Sequence, residues 1–132
     1  MAEGLSTTLV SNWLNTLRAA GAAFGPVAGT FVQLHTANPG AAGTTAVSAG
    51  SSTRIAATFA ASSAGSALAL SGSVGPWTNG GTSETITDIS VWTASTAGTF
   101  LFSVALTASK AWASADTFTL STLGASLSPQ GS

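Results

Sequence analysis

Phe100-Leu101-Phe102-Ser103-Val104-Ala105-Leu106-Thr107 is the stretch on which the fold turns. Phe100, Phe102, Val104 and Leu106 alternate with Leu101, Ser103, Ala105 and Thr107, and a side-chain period of two is that of a strand with one buried face. Upstream, Thr96-Ala97-Gly98 predicts a turn, and Thr85 to Trp92 predicts another strand. In that strand Ile86 falls on the opposite parity from Ile89 and Val91, which predicts a bulge near Asp88. Downstream, Thr117 to Leu127 reads as the last strand, with a parity change between Phe118 and Leu120 on one side and Leu123 and Leu127 on the other.

The first half follows the same grammar less regularly. Phe31 to Thr36 reads as a strand stopped by Asn38-Pro39-Gly40, a combination of strong turn formers. Ala41 to Ser52, almost entirely Gly, Ala, Ser and Thr, reads as a loop. Arg54 to Ala60 and Ala67 to Ser71 read as short strands flanking a hairpin turn at Ser62-Ser63-Ala64-Gly65, and Gly72 to Gly81 reads as a loop pinned by Pro76-Trp77. Seven or so short strands imply a mainly β chain, an antiparallel β-sandwich of jelly-roll-like topology.

One segment has a different period. From Ser6 to Ala20, Leu9, Trp13 and Leu17 recur every four residues, with Val10 and Leu14 widening the stripe, which predicts an amphipathic helix. Ser6 is the expected N-cap and Gly21 the expected residue ending it. The division is then an arm and helix over 1–24 and a sandwich over 25–132, read as one structural domain. Trp13 and Leu17 either cover the end of the chain's own sheet or pack on a partner subunit; Leu5, Leu9, Trp13 and Leu17 are the candidate interface residues.

Composition limits the chemistry. Ala, Ser, Thr and Gly supply 81 of the 132 residues, while the chain has three Lys and Arg, four Asp and Glu, one His and no Cys. A net charge of −1, with Arg18, Arg54 and Lys110 far apart, offers no basic surface for nucleic acid. No apolar run approaches the roughly 18 residues needed to cross a bilayer, and no export signal is expected. The lack of cysteine excludes disulfides and thiolate metal sites and fits synthesis in a reducing cytoplasm. A surface so poor in charge has little protection against self-association, so neighbouring chains are expected to cover much of it; the alternative is a monomer solubilised by hydroxyl groups.

His35, Asp88 and one of 20 serines would suffice for a triad, but no G-x-S-x-G elbow accompanies them, and a surface or edge-strand histidine is the simpler reading. Glu84 and Asp88 share a strand face at a spacing of about 13 Å, too far for the roughly 5–9.5 Å of glycosidase carboxylates. Asp116 lacks the neighbours of a calcium site and is expected to bond its own turn. Trp77, with Asn79 nearby, is the candidate for stacking a sugar ring; the competing reading is a plug closing one end of the sandwich. No enzyme activity, cofactor or metal is expected.

Longer phrases carry a resemblance. Phe31-Val32-Gln33-Leu34-His35-Thr36-Ala37-Asn38-Pro39-Gly40-Ala41-Ala42-Gly43 resembles the "LHTADPGxxG" phrase of small tailed-phage virion proteins, found in phages of actinobacteria. Thr53-Arg54-Ile55-Ala56, Ile89-Ser90-Val91-Trp92, Thr96 to Phe102 and Leu106 to Lys110 continue it in order. Asn38 stands where that family often has Asp. Such proteins are variously labelled head decoration, minor tail or tail fibre. The resemblance implies a non-enzymatic virion protein: foremost, a capsid decoration protein bound to the capsid exterior and the major capsid protein as a homotrimer, for which the Leu9, Trp13, Leu17 stripe and the Met1 to Leu5 arm are the candidate intersubunit or capsid contacts. The alternative it implies is a minor tail or tail-fibre protein among other tail proteins, meeting a host receptor or glycan through loops at Thr44 to Ser52 and Pro76 to Gly81.

Overall fold

The computed structural model describes residues 3–18, 25–62 and 67–126. Residues 19–20 of the expected helix, Gly21, residues 63–65 of the expected turn, and Leu127 lie outside them. Among the described residues the elements are one helix, α1 (Thr7–Asn15), continued by a 3₁₀ turn at Thr16–Arg18, and nine strands: β1 (Phe31–His35), β2 (Ile55–Ala56), β3 (Phe59–Ala60), β4 (Ala67–Leu70), β5 (Val74–Thr78), β6 (Glu84–Trp92), β7 (Phe100–Trp112), β8 (Thr117–Leu120) and β9 (Gly124–Ser126). The class is the one predicted, mainly β with one short amphipathic helix. All strand pairing is antiparallel, in sheets of order β2-β1-β6-β7, β3-β4-β9 and β5-β8, arranged as a sandwich around a single apolar core.

Three boundaries differ from the sequence reading. Arg54 to Ala60 is not one strand: the chain leaves the first sheet after Ala56 and joins the second at Phe59. Thr117 to Leu127 divides likewise, β8 pairing with β5 and β9 with β4. The parity change marked that change of sheet. Gly72 to Gly81, expected to be loop throughout, contains β5. Apart from Val74 and Trp77 its residues are small, proline or polar, and its register with β8 shifts between those two, so no clean period was there to read.

The long strand β7 departs from its apparent regularity twice. Val91 pairs with Phe102 but Trp92 pairs with Phe100, so Leu101 is an extra residue. Phe100 therefore lies on the Trp92 side of the sheet, with ring centroids 5.4 Å apart, and not on the Phe102 side as the alternation implied. The second departure is the predicted bulge: Ile86 pairs with Lys110 and Asp88 with Ala105, leaving four residues of β7 opposite Thr87. The parity change in β6 signalled it, although the extra residues are supplied by β7.

The first sheet is buried on both faces. One face carries Val32, Leu34, Ile89, Val91 and Phe102 into the core. The other carries Gln33, His35, Asp88, Ser90 and Ser103, also buried, beneath the chain from Thr36 to Arg54. Covering polar side chains is tolerable only when each finds a hydrogen-bond partner. Among the described residues, no buried side-chain polar atom lacks one.

Candidate functional site

The helix begins where its cap predicts. The Ser6 hydroxyl accepts the Leu9 N–H at 3.2 Å, satisfying a donor that the first turn would otherwise leave open. Ahead of it, residues 3–6 lie along the outer edge of β7. The Ser6 N–H donates to the Leu101 carbonyl at 2.7 Å and the Ser103 N–H to the Gly4 carbonyl at 3.0 Å. The described part of the arm thus closes an edge that would otherwise offer unpaired backbone groups.

The candidate interface stripe is consequently split. Leu5 is half-buried at the β7 edge and Leu9 is buried in the core. Trp13 is 36% exposed, Leu14 60% and Leu17 80%. The first turns of the helix dock on the chain's own sheet, while its far end presents an apolar face to solvent. Between them is a hollow of about 250 Å³ whose walls include Leu5, Leu9, Trp13, Phe59, Leu101 and Phe102.

Trp77 and Asn79 are each only 1% exposed. The Trp77 indole donates to the Thr53 carbonyl at 2.9 Å and its ring meets Phe118 at 5.9 Å in a tilted arrangement. No face of it is open to stack a sugar, so the glycan expectation has no side chain to rest on at this position. β5 holds the ring inward by pairing Trp77 with Phe118. Asn79 joins several turns: its amide donates to the Thr82 and Trp112 carbonyls at 3.0 and 2.8 Å, and its oxygen accepts the Gly81 N–H at 2.8 Å.

The same knot brings the two predicted contact loops together. Gly80 N–H donates to the Gly50 carbonyl at 2.9 Å. The Glu84 carboxylate accepts the Ala49 and Gly50 N–H groups, both at 3.1 Å, and the Ser48 hydroxyl. Thr44, Thr45, Ala49, Gly80 and Thr82 remain exposed around this junction.

Beneath the Thr36–Arg54 covering lies a grouping that resembles catalytic machinery. His35 Nε2 is 2.7 Å from Ser90 Oγ, and Nδ1 is 2.7 Å from the Thr45 carbonyl. A carbonyl can only accept, so Nδ1 carries the hydrogen and Nε2 of the neutral ring accepts from Ser90. The Ser90 oxygen also accepts the Trp92 indole N–H at 2.8 Å. A nucleophile must reach substrate, yet His35 and Ser90 are both fully buried, and the group orienting the imidazole is a backbone carbonyl instead of a carboxylate. Burial lowers the His35 pKa, the Thr45 bond and the charge of Asp88 opposing it. This is a neutral structural histidine, neither at the surface nor on an edge strand as the sequence suggested, because β1 lies between β2 and β6 and the Thr36–Arg54 chain covers it.

Arg54 completes the layer. Its guanidinium sits 3.7 Å above the Trp92 ring, donates to Gln33 Oε1 at 3.2 Å and ties down the β6–β7 turn through the Ala94 and Ala97 carbonyls at 3.3 and 2.6 Å. Burial pushes its pKa down. Sequence reading assigned no role to Arg54 or Ser90; the proximity of Arg54 to Trp92 is a tertiary fact with no local signature. Glu84 and Asp88 serve separate places, Glu84 the loop junction and Asp88 a contact with the Thr87 hydroxyl. Asp116 does bond its own turn, accepting the Ala113 N–H at 3.2 Å. Among the described residues no three His, Asp or Glu side chains are grouped to hold a metal, and no helix is long and apolar enough to cross a membrane.

The fold defines a β-rich module in which, among the described residues, the buried side-chain polar atoms are paired internally and the apolar end of the helix is exposed. Comparison with known families places it more closely: the model of the family described as Podophage GP4 fiber I protein gp80 matches residues 4–128, and the chain belongs to that family. It is a bacteriophage structural protein of a fibre family, which points to the virion and away from catalysis. No curated protein matches it.

Proposed function

We propose that this chain is a non-enzymatic tail-fibre module of a podophage virion. The observation carrying this reading is the fibre-family match over residues 4–128. It favours the tail-fibre alternative over capsid decoration, which finds no support in that family. The exposed end of α1 and its 3₁₀ extension, Trp13, Leu14 and Leu17, joins copies of the chain into a homo-oligomer, a trimer by the sequence expectation. A net charge of −1 gives little long-range repulsion to oppose such association. The joined loops at Thr44–Ser52 and 79–82, held by Asn79 and Glu84, form the surface directed at the host. Their exposed hydroxyl and backbone groups suit hydrogen bonding to a glycan better than ring stacking.

Copy number and position in purified particles test this. A small number of copies at the tail, seen by quantitative gel and by labelled antibody on imaged virions, is the expected result. Hundreds of copies over the head would overturn it and restore the decoration reading.

A further inference from the structure

Asn79 is followed by Gly80, whereas Asn12, Asn15 and Asn38 precede Trp13, Thr16 and Pro39. An Asn-Gly step has a chemistry of its own. The glycine nitrogen has no neighbouring Cβ to shield it and a backbone free to turn it toward the asparagine side chain. Having lost its proton to base, that nitrogen bonds to the asparagine Cγ, the Cγ–Nδ2 bond breaks, and Nδ2 takes up a proton and leaves as ammonia. One water then opens the resulting succinimide at either carbonyl, giving aspartate or isoaspartate.

At the loop junction each group this reaction needs is engaged elsewhere. The attacking Gly80 N–H donates to the Gly50 carbonyl at 2.9 Å, which withholds its proton from base. The departing amide is held by the Thr82 and Trp112 carbonyls at 3.0 and 2.8 Å, and Oδ1 is fixed by the Gly81 N–H at 2.8 Å. The Asn79 backbone is pinned as well, its N–H donating to the Asp116 carbonyl at 2.9 Å and its carbonyl accepting the Ala115 N–H at 2.8 Å. Asn79 is buried, but Gly80 is at the surface. Nor does the backbone require glycine there: a Cβ on Gly80 would meet the Gly50 carbonyl oxygen at 3.7 Å, an ordinary contact, and its φ lies outside the left-handed region.

We propose that Asn79-Gly80 is a deamidation site that the loop junction holds closed, and that its conversion dismantles the junction irreversibly. The product cannot resume the place of Asn79. A carboxylate has no hydrogen to give, so the Thr82 and Trp112 carbonyls would face its oxygens unpaired in a buried position. Isoaspartate also adds a methylene to the main chain between residues 79 and 80, which carries the Gly80 N–H off the Gly50 carbonyl. The Ser48–Ser52 loop then loses its backbone tie to Gly80, while β1, β6 and β7 keep their own pairing. The reaction belongs to the chain alone and is independent of whether these loops face a host.

Peptide mapping by mass spectrometry of the whole chain, aged in warm, mildly alkaline buffer with and without urea, tests this. Conversion at position 79 should be at least about tenfold slower in the folded chain, because the junction must open first. Gly50→Ala, whose Cβ crowds Asn79 Oδ1 at 2.4 Å, should convert faster than wild type without urea, and Gly80→Ala should convert slowly even in urea. Chains converted in urea and returned to buffer should be cut between Ser48 and Ser52 by a protease of broad specificity faster than unconverted chains treated alike, with amide-exchange protection at Ile89 unchanged. Equal rates with and without urea, Gly50→Ala no faster than wild type, Gly80→Ala converting like wild type in urea, converted chains as resistant as unconverted ones, or protection lost at Ile89 would each overturn the proposal.

Discussion

His35 Nε2 and Ser90 Oγ are 2.7 Å apart in the middle of a sheet buried on both faces, and the serine oxygen simultaneously receives the Trp92 indole N–H. The hydroxyl is the hinge of this layer, since it must donate to the imidazole while accepting from the indole. Ser90→Ala should leave both ring nitrogens' partners incomplete and cost about 1–3 kcal/mol. Urea unfolding with an unchanged m-value would measure it.

The buried imidazole also predicts a pH dependence. Its folded pKa is depressed below 6.5 by burial, so above that value both folded and unfolded states carry a neutral ring. As pH falls below it the unfolded chain takes up a proton that the folded chain resists, and stability declines until the folded pKa is reached. The urea midpoint should therefore drop as pH falls below 6.5, and His35→Gln should flatten that part of the profile.

Trp77 is a core residue and its removal should read as one. Trp77→Ala is expected to cost about 3–5 kcal/mol, with loss of the near-ultraviolet circular dichroism of a fixed indole. Trp77→Phe keeps most of the buried area and gives up the bond to Thr53, so its cost should be smaller. Thermal melts of the two variants order the effects.

Gly50 has no room for a side chain. A Cβ there would meet Asn79 Oδ1 at 2.4 Å and Glu84 Oε1 at 3.0 Å, both atoms fixed by the loop junction. Gly50→Ala should cost about 1–3 kcal/mol and raise protease sensitivity between Ser48 and Ser52. Asn79→Ala should disturb the same segment from the other side.

The helix stripe should divide sharply by position. Leu9→Ala, within the core, should lose about 2–5 kcal/mol. Leu17→Ser, at 80% exposure, should change monomer stability by no more than about 0.5 kcal/mol and lower the oligomeric state seen by sedimentation velocity. An unchanged assembly in a Trp13→Ser, Leu17→Ser double variant would remove α1 from the interface.

The physical basis of legibility differs along the chain. The β class, the Ser6-capped helix, the Asn38-Pro39-Gly40 stop and the bulge near Asp88 were each written in local periodicity or turn chemistry, because pleat, helical turn and backbone torsion act over a few residues. The Asn38 carboxamide accepting the Gly40 N–H at 2.8 Å is that kind of determinant. What tertiary structure alone decided was which faces became buried. Phe100 changed sides because of one extra residue at Leu101, Trp77 turned inward because β5 pairs with β8, and His35 lost its solvent because Thr36–Arg54 folds over it. The arm at Glu3 met Ala105 through a contact spanning 102 positions. No sequence window contains such partners; they are selected by burial and by the demand that every polar group taken from water be paired again.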